Sequence, residues 1–480
     1  MGSHTGKPAR AVQGAAIIAF CISAACAAFA AQATPARPAA AAPLSSARPA
    51  APDTRCIDDD TLDANPPAAP SAAASAGAAP ALATPRTNLL TMVQAAMRRS
   101  NALGAAKLLT DAAAIEIDEA RAGALPVVSL TGSAAGVNNG APGVPSQQGG
   151  QAQASLTLSA PLYDGGRVSD LTSWRTHLAD AARYGELSAQ EQVALQTVSL
   201  ALERSRWAVE TQVYEQYSRK MSCLVGALQQ IVAADKGRMS ELVQATKTQQ
   251  QAELARVQAI NQQRITEVRL RRFVGDELPP TAGITSVMLD TPALPDMLAI
   301  ADRTNEVAQL GAQANALESY MRAILDGQKP QLGWLLAATK AQGAANSHAL
   351  SGGITLSVPL FDRATDYTVS AARKRAEAAR LQREDALDAR KYRMREVHEQ
   401  ALQSMDKAHR VVDILRNTEL VRESTLEQWQ QLGRRSLFDV MAAEGDHYNM
   451  RVQYVDALYD TQQSNALLWS LGIGLAVHLQ

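Results

Sequence analysis

The feature that most constrains this chain is that it states one pattern twice. Leu156-Thr-Leu-Ser-Ala-Pro-Leu-Tyr-Asp164 returns as Ile354-Thr-Leu-Ser-Val-Pro-Leu-Phe-Asp362. Gly237-Arg-Met-Ser240 returns as Gly433-Arg-Arg-Ser436, and Arg99-Ser-Asn101 as Arg303-Thr-Asn305. Pro126 and Pro330 hold matching places. Four landmarks in one order, at offsets between about 196 and 204, mark a duplicated structural unit rather than chance. Whatever the chain does must follow from what that unit builds.

Proline placement supplies the next constraint. None of the 21 prolines lies between Pro161 and Pro279 or after Pro359. A helix interior rejects proline, because the ring clashes with the preceding turn and removes a backbone donor. Two proline-free stretches of roughly 120 residues, rich in Ala, Gln, Glu, Arg and Leu, therefore read as long helices. Met394, Val397, Ala401, Met405, Ala408, Val412 and Leu415 step by three or four, as do Tyr217, Met221, Leu224, Leu228 and Ile231. A stripe that narrow is a helix-packing seam. Residues 167–234 and 363–430 would each span roughly 100 Å. Shorter helical stretches are expected near 88–123, 240–273, 296–326 and 437–470, so that two short helices end to end match one long one.

Between the helices the period changes to two. Ala152, Ala154, Leu156, Leu158, Ala160 and Leu162 alternate with Gln151, Gln153, Ser155, Thr157 and Ser159. Ile354, Leu356, Val358 and Leu360 repeat the alternation. Such a strand suits lipid on one side and water on the other; a pair of soluble hairpins is the other reading. Partner strands are expected at 126–137 and 330–339. The intervening segments 138–150 and 340–348, rich in Gly, Asn, Gln and Ser, read as hairpin tips. Four strands cannot close a barrel, and open edges are not tolerated in lipid. Strands in a membrane would require two, three or four copies of the chain.

The remaining segments set compartment and exclude chemistry. Lys7 and Arg10 precede an apolar run from Ala11 to Ala31, and Ala28-Phe29-Ala30 offers a cleavage site, so residues 1–30 read as a secretory signal peptide. Cys26 raises a lipid-anchor alternative, although Ser23 stands where an aliphatic residue is usual. Residues 31–87 read as a Pro/Ala-rich disordered linker. Past the signal, Cys56 and Cys223 are left; an oxidising compartment allows them to pair, but two cysteines make no framework. No catalytic, cofactor or metal site is expected. His398-Glu399 lacks a second histidine at helical spacing, and there is no paired-cysteine motif or phosphate loop. The net charge of −1 with interspersed signs gives no basic patch for nucleic acid. The expected organisation is a first repeat at 88–275 (β-hairpin 126–162, long helical hairpin 165–273), a connector at 276–295, and a second repeat at 296–480 (β-hairpin 330–361, long helical hairpin 363–470).

Signal, helix, hairpin and long helical hairpin, with the A/V-P-L-Y/F-D strand ends and the G-R-x-S turns, resemble the TolC family of outer-membrane channel proteins over roughly residues 88–480. The stretch Gly433-Arg-Arg-Ser-Leu-Phe-Asp-Val440, with Tyr448-Asn449 and Leu471-Gly472, is its most specific part. The resemblance implies a mixed, mostly helical fold that trimerises, with a 12-stranded outer-membrane β-barrel continuous with a long periplasmic α-barrel and an equatorial girdle around it. The implied partners are two further copies of the chain, outer-membrane lipid, a periplasmic membrane-fusion adaptor and an inner-membrane ABC transporter or proton-driven pump. The Ala-rich style and Pro-rich N-terminus are most similar to members that export an adenylate cyclase–haemolysin toxin.

Carried over position by position, the resemblance puts a periplasmic gate at Arg435 and Asp439, with Trp429 and Glu241 beside it. The family's second pore acid falls on Ala442, its gating tyrosine on Gln430 and its first-repeat tip acid near Leu242. Lys236, Gly237 and Arg238, with Leu432, Gly433 and Arg434, form the hairpin tips expected to dock the adaptor. Two functions fit: a passive duct for an exported protein toxin, and the outlet of a drug or metal efflux pump. A structural coiled-coil protein is the third reading, which the alternating strands and the signal oppose.

Overall fold

The computed structural model describes residues 85–479 except 142–143, 281–283, 285–286, 345 and 431–433. The expected signal and nearly all of the linker lie outside the described residues. The first helix starts at Pro85, inside the segment read as linker; proline is well placed there because the N–H it lacks would have no helical partner.

Two helices of 68 residues dominate: α3, Arg167–Ala234, and α7, Arg363–Gln430. Shorter helices lie along them. In the first half these are α1, Pro85–Arg99, α2, Asn101–Ala122, and α4, Met239–Val274. In the second they are α5, Leu294–Ala299, α6, Asn305–Asp326, α8, Leu437–Leu471, and α9, Leu475–Leu479. The single helix expected at 88–123 is two, broken where Ser100 caps α2 by accepting from Leu103 N. The helix expected from 296 likewise begins at Asn305, after a short 3₁₀ turn at Ala301–Arg303.

The helices pack side by side because their apolar positions recur every seven residues. On α4 the buried set is Ala245, Ala252, Ala259 and Thr266; on α7 it includes Met394, Ala401, Ala408, Leu415 and Arg422, with Val397, Val411 and Thr425 on the adjoining line. A seven-residue repeat holds one seam toward the partner along the whole length. Alanine there lets backbones approach closely. Val411, rather than the expected Val412, takes the buried place, and Met405 is half-buried. α3 is bordered by α2 and α6 along its first part and by α4 and α8 along its second, and α7 by α6 and then α8. Named contacts mark each pairing: Arg175–Glu116, Trp174–Tyr320, Arg204–Glu267, Ser205–Tyr459, Arg380–Glu318 and His447–Glu419.

Around the middle of α3 the layer thickens into the main core. Leu89, Met92 and Val93 of α1 meet Ala194, Val198 and Leu202 of α3, joined by Ile284, Met288, Tyr459, Leu475 and Leu479. Leu475 N donates to Glu191 Oε1 at 2.6 Å, docking α9 on α3. Arg86 caps α9 through the carbonyls of His478 and Leu479.

The repeated Pro-Leu-Tyr/Phe-Asp element has a local cause. Asp164 accepts from Gly166 N and Val168 N, and Asp362 accepts from Ala364 N and Thr365 Oγ1. Each aspartate thus satisfies the orphan donors that open a 68-residue helix. Gly165 and Gly166 have φ of 72° and 100°, and a Cβ at Gly165 would sit 2.7 Å from Lys329 Cβ, so the strand-to-helix corner admits only glycine.

Candidate functional site

Four antiparallel strands form one sheet in the order β1-β2-β3-β4: Val127–Ala141, Val144–Tyr163, Gln331–Gly343 and Ser347–Ser357. The segments expected to be long tips, 138–150 and 340–348, are largely strand. Backbone pairing continues because each further residue in register satisfies its N–H and C=O across the hairpin, and Asn138 and Gln148 bond side chain to side chain at 3.0 Å. A register shift between Pro161 and Tyr163 takes Leu162 out of the expected alternation; proline has no donor for the ladder.

Register decides what each face carries. Val128, Leu130, Leu156, Leu158, Trp334, Leu336, Leu350, Ile354 and Leu356 fall on one face. Ser129, Thr131, Ser155, Thr157, Thr339 and Ser351 fall on the other, and Ser155 and Thr339 share a hydrogen bond at 3.2 Å. In a water-soluble sheet the apolar face would be the covered one. Here Leu130 is 75% exposed, Leu350 77% and Ile354 71%, while Leu158 and Trp334 of the central strands are half-buried; on the polar face Ser129, Thr131 and Ser351 of the outer strands are exposed and Ala337 and Thr339 half-buried. The outer strands, β1 and β4, each keep one edge unpaired among the described residues.

The helical layer is open at its sides as well. Beyond the middle the helices lie in the order α4, α3, α8, α7. The two flanking helices carry exposed apolar side chains: Val243, Leu254 and Val268 on α4, and Leu402, Ile414 and Leu420 on α7. Sheet and helical layer thus end in matching open edges. No described helix is long and apolar enough to cross a membrane.

The far ends of the long helices hold the residues expected at the gate and tips. Lys236, Gly237 and Arg238 form a 3₁₀ turn between α3 and α4, capped by Asp235, whose carboxylate accepts from Gly237 N. Leu432 and Gly433 lie outside the described residues; Arg434 N donates to Gln428 O. Arg435 is exposed and its Nε donates to Gln428 Oε1 at 3.3 Å, tying the α7–α8 turn back to α7. Asp439 is engaged at the start of its own helix: its carboxylate accepts from Ser436 N and its N–H donates to Ser436 Oγ, a capping box. Trp429 packs against Val225, Leu228, Leu437 and Met441. Glu241 is half-buried, with Oε2 covered and lacking a hydrogen-bond partner among the described residues. The structure therefore brings Arg435, Asp439 and Trp429 to one tip and Glu241 to the adjoining one.

Two ionic clusters, one buried and one half-buried, escaped the sequence reading. In the first, Arg422 reaches Glu419 at 2.5 Å and Glu444 at 3.5 Å, while His447 Nδ1 lies 3.3 Å from Glu419. It locks α7 to α8 just above the tip, beside the stacked Tyr217 and Tyr448. The seven-step register from Met394 runs through Arg422, and that was the available signal. In the second, Arg206 bonds Glu210 at 2.8 Å and Asp456 at 2.7 Å, with Asp460 at 4.0 Å. Burial pushes the Glu210 carboxyl up to about 7; the Arg206 bond opposes the shift and Asp456 adds to it.

Residues 92–276 match the model of a family described as outer membrane efflux protein. No curated protein sequence matches the chain. The fold is shared with that of CusC, at a TM-score of 0.73 and 14% identity, over 80% of this chain and 92% of that one. A membrane protein from Pseudomonas aeruginosa gives 0.73 and 16%, over 85% and 98%. The outer membrane protein VceC from Vibrio cholerae gives 0.70 and 14%, over 81% and 97%.

Proposed function

We propose that the chain is one subunit of an outer-membrane exit duct, passive in itself and completed by further copies. The observation that carries this reading is the exposed apolar face of the sheet, which no helix covers on the outer strands β1 and β4. That face wants hydrocarbon, and bilayer-facing strands tolerate no open edge. Joining the β1 edge of one copy to the β4 edge of the next, and the α4 flank to the α7 flank, is a head-to-tail contact that closes into a ring. Three copies give 12 strands, within the range of known membrane barrels. The long helices then extend the barrel into the periplasm as a tube, and their tips meet the adaptor of an inner-membrane transporter. A tube of this kind transduces no energy, so the transporter supplies it.

For the cargo, the Ala-rich style and the long Pro-rich N-terminus support a CyaE-type role, export of a protein toxin such as an adenylate cyclase–haemolysin beside an ABC transporter. The efflux description of the matching family favours small-molecule expulsion with a proton-driven pump as the second reading. Mass measurement of the detergent-solubilised protein is expected to give three times the mature chain. A stable membrane-inserted monomer would remove the duct. Deleting the chain from its host separates the cargoes: loss of a secreted protein supports the first, and sensitivity to drugs or metals with secretion intact supports the second.

A further inference from the structure

Lys340 and His348 are the only lysine, arginine or histidine residues on the four strands, and the strands carry no aspartate or glutamate. Register sets the two directly opposite each other across β3 and β4. Alternation puts them on the apolar face, one step beyond Ala338 and Leu350 toward the hairpin end. Both are exposed, and neither has a hydrogen bond or ion pair among the described residues. We propose that this pair binds a phosphate group on a lipid headgroup of the outer leaflet, at the outer rim of the barrel. The inference rests on the duct reading above, which puts the apolar face in hydrocarbon.

Charge is the first support. Like charges directly opposite across a strand pair repel, and no carboxylate on the sheet offsets them. An anion seated between the two does. Lysine supplies three donors, and histidine at least one N–H in either charge state. Donors of this kind make their strongest bonds to ionised oxygens such as those of phosphate.

Depth agrees. Tyr163, Leu360 and Phe361 are exposed at the end where the strands meet the long helices, and Tyr163 pairs with Leu332. From Leu332 to Lys340, β3 runs roughly 27 Å. A strand tilt of about 35–45° reduces that to roughly 20 Å of height. The lysine stem carries its ammonium further outward by snorkelling, to the top of an apolar band about 25 Å tall.

Shape agrees as well. Lys340 pairs with Ala154 of β2, which pairs in turn with Gly132 of β1; one step further out the same face carries Ala152 and Ala134. A Cβ added at Gly132 would meet nothing within 4 Å. No side chain longer than a methyl group therefore stands beside the pair on β2 or β1, and a headgroup has room to lie against the sheet. Leu350, Leu156 and Leu130 form the row below, exposed on the same face. Acyl chains would run along that row, which selects a lipid over free phosphate.

Native mass spectrometry of the full-length protein, assembled in detergent, tests this with lipid A as the probe. The doubly phosphorylated form is expected to bind roughly tenfold more tightly, or better, than the same lipid with its phosphates removed. Lys340→Gln combined with His348→Gln is expected to abolish that preference and to leave the assembly mass unchanged, since both side chains are exposed. Equal binding of the two lipid forms by the native protein, or a preference that survives in the double variant, overturns the proposal. Displacement of the lipid by an equal concentration of inorganic phosphate overturns it too. The same spectra report the number of copies. A ring without the preference ends this site alone, whereas a monomer ends the duct reading on which it rests.

Discussion

Two charged side chains, one enclosed between helices and one exposed at a tip, make sharp predictions. Glu210 is the first. Its folded carboxyl titrates near 7 against an ordinary value of 4.5, so the folded state holds the proton more tightly. Its contribution to stability is therefore complete below about pH 4.5 and is lost as pH rises through 7. Glu210→Gln removes the ionisation but keeps an oxygen for Arg206. It is expected to raise thermal stability at pH 8, by on the order of 2 kcal/mol, and to leave it unchanged at pH values below about 4. Equal effects at both pH values, read by thermal unfolding, would contradict the assignment. Arg435 is the second. In a ring of subunits it recurs around one axis at the entrance, where like charges repel unless each has an acceptor; in the single chain that acceptor is Gln428. A charged hydrogen bond contributes about 1.5–3 kcal/mol when partly buried, and this one is exposed, so only its repetition around the axis gives it leverage. Arg435→Ser is expected to raise single-channel conductance in planar bilayers with assembly intact. Unchanged conductance would move closure to other contacts, the Arg422–Glu444–Glu419 cluster first among them.

At the scale of elements, each 68-residue helix depends on the corner from which it starts. Asp164 closes two orphan donors in a half-buried corner, and Asp362 makes comparable bonds in an exposed one. Asp164→Ala is expected to cost about 1–2 kcal/mol and to lower the dissociation temperature of the assembled protein. Asp362→Ala should lower it less, because water replaces the lost bonds. Equal losses would mean that the cap matters for chain direction alone. The turns differ in a similar way. The first tip is a 3₁₀ turn held by Asp235, and the second leads into a capping box held by Ser436 and Asp439. The repeated G-R-x-S motif therefore encodes two different local solutions to the same reversal.

At the scale of the whole molecule, the geometry places a sheet with an exposed apolar face at one end and two helical turns at the other. The tips expose Met239 and Phe438 beside Lys236, Gly237, Arg238 and Arg434, an apolar and basic surface suited to another protein. Cysteines placed at Gly237 or Arg434 are expected to crosslink to the periplasmic adaptor in cells. Crosslinks confined to mid-helix positions such as Ile414 would relocate the docking surface.

The sequence by itself determined the elements. Proline exclusion, the seven-residue step and the two-residue alternation are properties of a chain read along its length. They place 167–234 and 363–430 as helices, with the bounds of α3 and α7, and they place the hairpins between. Only the tertiary structure decided which elements touch. Pairing brings together residues hundreds of positions apart, and no local period records the partner. The shared apolar face of the sheet needed the register of all four strands, since one strand alone cannot say which face its neighbours share. Arg422 and Glu444 are enclosed only where α7 meets α8. The capping role of Asp439 needed the turn's geometry, because desolvation and pairing energies belong to neighbourhoods in space rather than to positions in the chain.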